Sequence, residues 1–193
     1  DGLFFYKKNE QMKNQFTISI FTEDKVGLLT RVSTVFSRRH INIESITASE
    51  SELKGVHRYT IVITEEKEQV RKIVKQLEKQ IDVLKAFFYT NDELVYQEIA
   101  LYKVLTISLA AGKQVEQIIR KHNARVLTVA KEFTIIEKTG YKEEIQQLFE
   151  ELQPFRLLEF VRSGRVAITK PMKEFKDYLL EIEKAASIDN SYY

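Results

Sequence analysis

The side chains that could bind a metal ion or act as nucleophiles are few and widely spaced in this sequence. Its three histidines, His40, His57 and His122, include no pair at metal-ligand spacing. Cysteine is absent, which excludes disulfides, thiolate catalysis and thiolate metal sites. No phosphate-binding glycine motif is present, and no serine has a base and an orienting acid nearby in the pattern. We therefore predict neither a metal site nor a catalytic centre.

A binding site is predicted instead around Gly27, in the stretch EDKVGLL, where a strand stops and a helix starts. A helix N-terminus carries free N–H groups and a partial positive charge, so it attracts a carboxylate. A residue without a Cβ also lets a ligand come close to the backbone. The amides from Gly27 to Leu29 could hold the α-carboxylate of an amino acid. Asn42, at the start of the next strand, is expected to lie near enough to add a donor or acceptor.

A simpler interpretation treats the same residues as ordinary structural features. In that interpretation Asp24 caps the helix, and Gly27 eases the turn between strand and helix. Asn42 would then satisfy a local backbone group. The residue pattern alone leaves both interpretations open.

The elements that position these residues follow from the hydrophobic periodicity. Alternation in QFTISIF predicts a strand, and apolar residues at helical spacing from Leu28 to Phe36 predict a helix after it. The stretches HINIESITAS and GVHRYTIVIT predict two further strands. A helix from Val70 to Leu77 and the strand DVLKAFFYT complete the order βαββαβ, which is the ferredoxin-like plan.

The same order appears a second time further along the chain. EIALYKVLTISL predicts a strand, KQVEQIIRKH a short helix, and ARVLTVA and EFTIIEK two more strands. A helix from Ile145 to Leu152 follows, and FRLLEFVRSGRVAIT carries the closing strand. The predicted class is α+β with two ferredoxin-like domains, divided in the polar stretch TNDELVYQE. The predicted limits are 1–14 for an N-terminal extension, 15–91 and 96–170 for the domains, and 171–193 for a C-terminal helix and tail.

Charge and composition argue against several kinds of partner. Thirty Lys and Arg nearly balance 28 Asp and Glu, so a net charge of +2 gives no electrostatic case for nucleic acid or membrane. An RNA-recognition module shares the βαββαβ order, but Val56 and Arg58 occupy the positions of its base-stacking rings. No apolar run approaches the ~20 residues of a membrane helix. The N-terminal DGLFFYKKNEQ is too short and charged for a signal peptide, so we expect a cytoplasmic protein.

The stretch EDKVGLLTRVSTVFSRRHINIESI resembles the opening of the ACT domain in the regulatory (small) subunit of acetolactate synthase. That family carries a glycine before L-x-R-V, then F-x-x-R, and then N-I-E-S-[LI]. The matching residues here are Gly27, Leu29, Arg31, Val32, Phe36, Arg39, Asn42, Ile43, Glu44, Ser45 and Ile46. The resemblance continues through RYTIVI, KQLEKQIDVLK, EIALYKV and FVRSGRVAIT. Two departures stand out: Asp24 replaces a usual asparagine, and His40-Ile41 replaces a usual glycine-aromatic pair.

This resemblance implies that the first domain is an amino-acid-sensing ACT domain in a non-catalytic subunit. Such a subunit binds and activates the catalytic (large) subunit and confers feedback inhibition by a branched-chain amino acid, usually valine. Thiamine diphosphate, Mg and FAD would belong to the catalytic subunit, and this chain would bind no cofactor. The ACT domains would pair side by side in a homodimer, with the effector between Gly27 of one chain and Asn42 of its neighbour.

The resemblance also implies a set of effector-binding residues. These are Asp24, Val26, Gly27, Leu28, Leu29, Asn42 and Ile43. Leu28 and Ile43 would line the pocket for the side chain of the amino acid. An aspartate at position 24 could still accept a hydrogen bond from the ammonium group, although it adds negative charge near the carboxylate.

Three alternatives to this assignment can be weighed against the residue pattern. The chain could be another ACT-domain regulatory protein that binds an amino acid. It could instead be a small enzyme that uses Tyr, His or Glu side chains without a cofactor on a ferredoxin-like fold. An amino-acid-responsive DNA-binding regulator would need a helix-turn-helix segment, which neither end of the sequence provides.

Overall fold

A computed structural model describes residues 12–110 and 113–170, together with residues 177, 180, 181, 183 and 184. The described residues divide into two compact units. One contains residues 12–93 and those described beyond 170, and the other is Leu94–Lys170. Most of the predicted N-terminal extension and C-terminal helix lies outside the described residues, although the five residues described beyond 170 have helical backbone. Among the described residues, no helix is long and apolar enough to cross a membrane.

The first unit has the predicted βαββαβ order. Its elements are β1 (Asn14–Glu23), α1 (Leu28–Ser37), β2 (Ser45–Glu50), β3 (Val56–Glu65), α2 (Lys67–Leu77) and β4 (Val83–Thr90). The four strands form an antiparallel sheet in the order β2-β3-β1-β4. The central strands are therefore β3 and β1, and β2 lies at one edge.

The core of the first unit joins one face of this sheet to the apolar stripes of both helices. Phe16, Ile18 and Ile20 alternate along β1 and are buried, as the period of two predicts. The helices contribute Leu28, Val32, Val35, Phe36, Val70, Ile73, Val74 and Leu77. Burial of these side chains fixes α1, and with it the position of its N-terminus.

The second unit repeats this plan with one extra helix and one extra strand segment. Its elements are β5 (Leu94–Leu105), α3 (Thr106–Ala110), α4 (Gln114–Lys121), β6 (Arg125–Val129), β7 (Phe133–Gly140), α5 (Lys142–Leu152), β8 (Leu157–Arg162) and β9 (Val166–Thr169). The antiparallel sheet has the order β6-β7-β5-β8, with β9 beside the first part of β5. Tyr102 is buried at its centre, and its hydroxyl donates to the carbonyl of Ile145 at 2.7 Å.

The predicted strand EIALYKVLTISL ends earlier than expected. β5 stops at Leu105, because Thr106–Ala110 forms α3. Thr106 leaves the sheet with its N–H donating to the carbonyl of Glu132 and its hydroxyl to that of Ala130. These bonds turn the chain away from the strand direction, so the β-branched sequence TISL does not extend the sheet.

The polar stretch TNDELVYQE also has more structure than a linker. Thr90 ends β4, and a 3₁₀ turn, Asn91–Glu93, follows it. The Glu93 carboxylate closes this turn by accepting the N–H of Thr90 at 2.8 Å. β5 begins at once with Leu94, which is buried.

The predicted closing strand is present but interrupted. β8 and β9 run along β5 in succession and in the same direction, both antiparallel to it. Between them the three residues from Ser163 to Arg165 stand opposite only two residues of β5, Glu98 and Ile99, which makes a β-bulge. The N–H of Ser163 donates to Ile99 at 2.9 Å, and its hydroxyl accepts the N–H of Ile99 at 3.0 Å.

Candidate functional site

Gly27 immediately precedes α1 and has a left-handed backbone, with φ of 83°. L-residues with a side chain rarely adopt this conformation, so the turn itself favours glycine. A Cβ built on Gly27 would meet no heavy atom within 4 Å. The space in front of the residue is therefore open, and a ligand can approach the backbone there.

The N-terminus of α1 lacks a side-chain cap, and its first turn contains no acidic residue. Asp24 does not cap the helix. Its Oδ1 lies 3.5 Å from Nε2 of His57 on β3. The interpretation of Asp24 as a helix cap is therefore wrong, and no carboxylate from the described residues caps the first-turn N–H groups.

Asp82, which the sequence did not single out, anchors the loop that contains Gly27. Its Oδ1 lies 2.6 Å from Nζ of Lys25, and its Oδ2 lies 2.8 Å from Nη1 of Arg31. Its backbone carbonyl accepts the N–H of Glu23 at 2.9 Å. The hydrogen bond from Lys25, helped by the charge of Arg31, holds the pKa of the Asp82 carboxyl below its usual range. The loop is thus held on both sides of the glycine.

A second tether joins this loop to the turn between β2 and β3. The N–H of Asp24 donates to the carbonyl of Gly55 at 3.0 Å. Gly55 has a left-handed backbone of its own, with φ of 78°, which shapes that turn. The loop before α1 therefore has little freedom even though its side chains are mostly exposed.

Three apolar residues around Gly27 differ in exposure. Val26 is fully exposed, and Leu29 is 48% exposed. Leu28 is only 1% exposed, because its side chain packs in the core of the first unit. The expectation that Leu28 lines the effector pocket is corrected accordingly: its backbone N–H remains available, but its side chain does not.

Asn42 stands between two isoleucines in the extended segment before β2. Ile41 and Ile43 pack against the core, whereas Asn42 and Glu44 are exposed. The Glu44 carboxylate accepts a hydrogen bond from Gln15 Nε2 at 2.8 Å, which ties this segment to β1. In the part of the chain that the structure describes, the Asn42 side chain has no hydrogen-bond partner. The interpretation that Asn42 satisfies a local backbone group is therefore not supported.

The structure does not bring Asn42 close to Gly27 within one chain. The ten residues of α1 lie between them, and a helix of that length spans about 15 Å. The strand register agrees: β1 ends opposite Val56, whereas β2 begins opposite Val62. The two residues therefore lie at opposite ends of β3. The predicted proximity within one chain is wrong, and only a second chain could bring the two residues together.

No cluster of three or more His, Cys, Asp or Glu side chains suited to a metal ion occurs among the described residues. The chemistry that the site offers consists of N–H donors at a helix end, one exposed carboxylate and two exposed apolar side chains. This combination suits a zwitterion with an aliphatic side chain.

Comparison with known proteins places the chain in a family. The acetolactate synthase small subunit of Mycolicibacterium smegmatis is 37% identical over 154 residues, which cover 80% of this chain and 90% of that protein. The chain belongs to the acetolactate synthase small-subunit family. The small subunit of Bacillus subtilis is 36% identical over 160 residues, covering 82% of this chain and 91% of that protein.

Family models match both units of this acetolactate synthase small subunit. Residues 18–85 match the family described as the AHAS small subunit-like ACT domain, and residues 97–171 match the small subunit of acetolactate synthase. A crystal structure of the small subunit from Thermotoga maritima matches with a TM-score of 0.75 and 27% identity, covering 83% of this chain and 99% of that one. The predicted family and the two ferredoxin-like domains are confirmed. A small subunit implies a catalytic-subunit partner.

Proposed function

We propose that this chain is a non-catalytic regulatory subunit that binds a branched-chain amino acid at the loop around Gly27, with valine as the first candidate. It binds and activates the catalytic subunit and confers feedback inhibition on it. Thiamine diphosphate, Mg and FAD are bound by that partner. The observation that carries the proposal is an uncapped helix N-terminus at an open glycine, in an ACT domain of this family.

The proposed site divides the ligand among three kinds of group. The first-turn N–H groups of α1 hold the carboxylate, because the helix dipole favours an anion there. Asp24 is exposed and accepts a hydrogen bond from the ammonium group. Val26 and Leu29 contact the aliphatic side chain, since both are exposed beside the glycine. A branched aliphatic side chain fits this surface better than a charged one, which would lose hydration against it.

A second copy of the chain completes the site in this proposal. β2 is an edge strand, so its outer side can pair with another strand. Two copies related by a two-fold axis pair these edges antiparallel, which sets the start of one β2 beside the end of the other. The end of β2 lies opposite His57, next to Asp24. The partner subunit's Asn42, just before its own β2, then approaches the loop around Gly27, and Ile43 of that copy adds apolar surface.

Calorimetric titration of the purified chain with valine, leucine and isoleucine tests the binding proposal. We expect saturable binding of at least one of them with one site per chain, and no binding of aspartate or lysine. Mixing the chain with its catalytic subunit should raise acetolactate formation, and the bound amino acid should lower it. Turnover of pyruvate by the chain alone would contradict the non-catalytic assignment. Absence of binding for all three amino acids would overturn the effector site.

A further inference from the structure

The geometry points to Asp82 as a positioning residue for the effector site, which holds the Gly27 loop in its binding shape through Lys25, Arg31 and Glu23. This inference rests on the proposed function. Asp82 lies in the turn between α2 and β4. Its carboxylate is occupied by Lys25 on one oxygen and by Arg31 on the other. It acts on the site through these partners.

The contacts of Asp82 bracket the glycine along the chain. Lys25 lies two residues before Gly27, and Arg31 lies four residues after it. The backbone carbonyl of Asp82 adds a third contact by accepting the N–H of Glu23, where β1 ends. Asp82 therefore contacts the end of β1, the loop before Gly27 and the first turn of α1, and the left-handed turn at Gly27 lies between these contacts.

The backbone of Asp82 indicates that its side chain is needed. Its φ is 74°, in the left-handed region where a glycine would cost less. It is also 4% exposed, and aspartate is rarely so buried without partners. An aspartate at such a position is explained by its two ion-pair contacts, which glycine could not make.

Fixing the loop in advance favours binding, because a ligand need not order the chain when it binds. Lys25 helps to fix the loop through two ion pairs. Its Nζ lies 2.7 Å from Oε2 of Glu23 and 2.6 Å from Oδ1 of Asp82. Without the Asp82 carboxylate, Lys25 and Arg31 lose their shared partner and the first turn of α1 loses its constraint. The amides would then spend part of their time away from the binding geometry, which lowers the affinity in proportion.

The test uses the full chain with Asp82→Asn, because asparagine tolerates the left-handed backbone while it removes the charge. Asp92→Asn is the matched control, since Asp92 is exposed in the turn after β4. We expect the affinity for valine to fall about tenfold in Asp82→Asn and to stay unchanged in Asp92→Asn. Amide hydrogen exchange of residues 23–31 without ligand should be faster in Asp82→Asn alone. Stimulation of the catalytic subunit should persist.

Lys25→Met separates positioning from general stability. Lys25 is about half exposed, so its replacement leaves the core unchanged. If the two residues act as one unit, Lys25→Met weakens valine binding in the native chain but has little further effect in Asp82→Asn. Additive losses would overturn the inference, since they would indicate two independent effects. If Asp82→Asn fails to fold, Lys25→Met alone still tests the inference, because unchanged valine affinity and unchanged hydrogen exchange of residues 23–31 in that variant would overturn it.

The experiments distinguish an error in this inference from an error in the proposed function. Equal valine affinity and equal hydrogen exchange in native chain and Asp82→Asn overturn the inference and leave the proposed function intact. If the native chain binds none of the three amino acids, the proposed function fails and the effector role of Asp82 fails with it. Hydrogen exchange of residues 23–31 then still reports whether Asp82 holds the loop.

Discussion

At Gly27 two requirements coincide, namely a left-handed backbone and an open approach to the first turn of α1. An alanine at this position would leave the approach nearly open, but it would strain the backbone by about 1–2 kcal/mol. An aspartate would share much of that strain and would add a carboxylate where the ligand's carboxylate binds. Comparing the two variants therefore separates electrostatic repulsion from backbone strain.

Gly27→Asp should abolish valine binding while the fold persists. Like charges a few ångströms apart repel by several kcal/mol where the effective dielectric is reduced, so the affinity should fall at least about a hundredfold. The affinity for valine should fall much less in Gly27→Ala. Calorimetric titration measures both affinities, and circular dichroism checks the fold. Native affinity in the aspartate variant would show that the carboxylate binds elsewhere.

Asn42→Ala should uncouple inhibition from activation. The exposed amide is proposed to contact the charged ligand across the dimer interface. Loss of a hydrogen bond to a charged group costs about 1.5–3 kcal/mol, which is roughly a ten- to hundredfold weaker effector. The reconstituted holoenzyme should therefore keep its stimulated rate but need much more valine for inhibition. Asn14→Ala serves as the control, because Asn14 is an exposed asparagine at the start of β1.

The inhibition curve of this variant has two outcomes that contradict the assignment. Unchanged sensitivity to valine would mean that Asn42 has no contact with the effector. Loss of stimulation as well would mean that the effector site and the surface for the catalytic subunit cannot be separated, although an allosteric site must be distinct from the one it controls.

The two departures from the family pattern have different physical consequences. Asp24 lies 3.5 Å from Nε2 of His57 and adds negative charge near the position proposed for the ligand carboxylate. His40 has a left-handed backbone with φ of 54°, at a position where the family usually has glycine. That backbone costs about 1–2 kcal/mol in a residue with a side chain. The first departure bears on ligand binding, and the second bears on the stability of the turn after α1.

Among the elements, the periodic ones could be predicted and the irregular ones could not. The stripes of α1 and α2 follow from apolar spacing, and the structure buries them as predicted. The helix α3 was missed because TISLA has β-branched residues typical of strands, and a hydrogen bond from Thr106 to distant Ala130 decides its course. The bulge after β8 was missed because a single extra residue leaves apolar alternation intact on each side.

Ser163→Ala should destabilise the second unit without affecting effector binding. The hydroxyl accepts the N–H of Ile99 at the bulge, where the regular ladder between β5 and its neighbour is interrupted. Its loss should cost about 1 kcal/mol. Urea unfolding of the full chain measures the cost, with Ser37→Ala as a control for loss of an exposed hydroxyl. A reduced valine affinity in Ser163→Ala would show that the two units share the effector site.

The contribution of the Asp82 ion pairs to the stability of the fold should fall in acid. The pKa of Asp82 is lowered in the folded chain. Its contribution to stability is therefore complete above the pKa of an unfolded aspartate, about 3.9, and is lost as the pH falls through the lower folded value. The free energy of unfolding should be larger for the native chain than for Asp82→Asn at pH 7. Urea titrations at pH 7 and in steps below pH 4 should show this difference shrinking; a constant difference would contradict the assigned ion pairs.

For the molecule as a whole, the part of the site that is local in sequence could be predicted and the rest could not. Gly27 was found because a strand, a glycine and a helix follow one another within one short stretch. Asp82 lies 57 positions from Lys25, and an aspartate in a turn has no pattern that reveals such a contact. Asn42 was singled out from the residue pattern and again by resemblance, but its predicted nearness to Gly27 within one chain was wrong, because that distance depends on a strand register that the sequence does not reveal.

A fragment ending at Asn91 should still dimerise and bind the amino acid. The proposed site uses the loop before α1 and the segment before β2, both in the first unit, whose core is continuous without Leu94–Lys170. Sedimentation should show a dimer, and titration should give an affinity within about threefold of the full chain. The described residues beyond 170 group with this unit, so a chain lacking only residues 171–193 is the matched control. A folded, dimeric fragment that binds nothing, beside a control that binds normally, would place part of the site in the second unit.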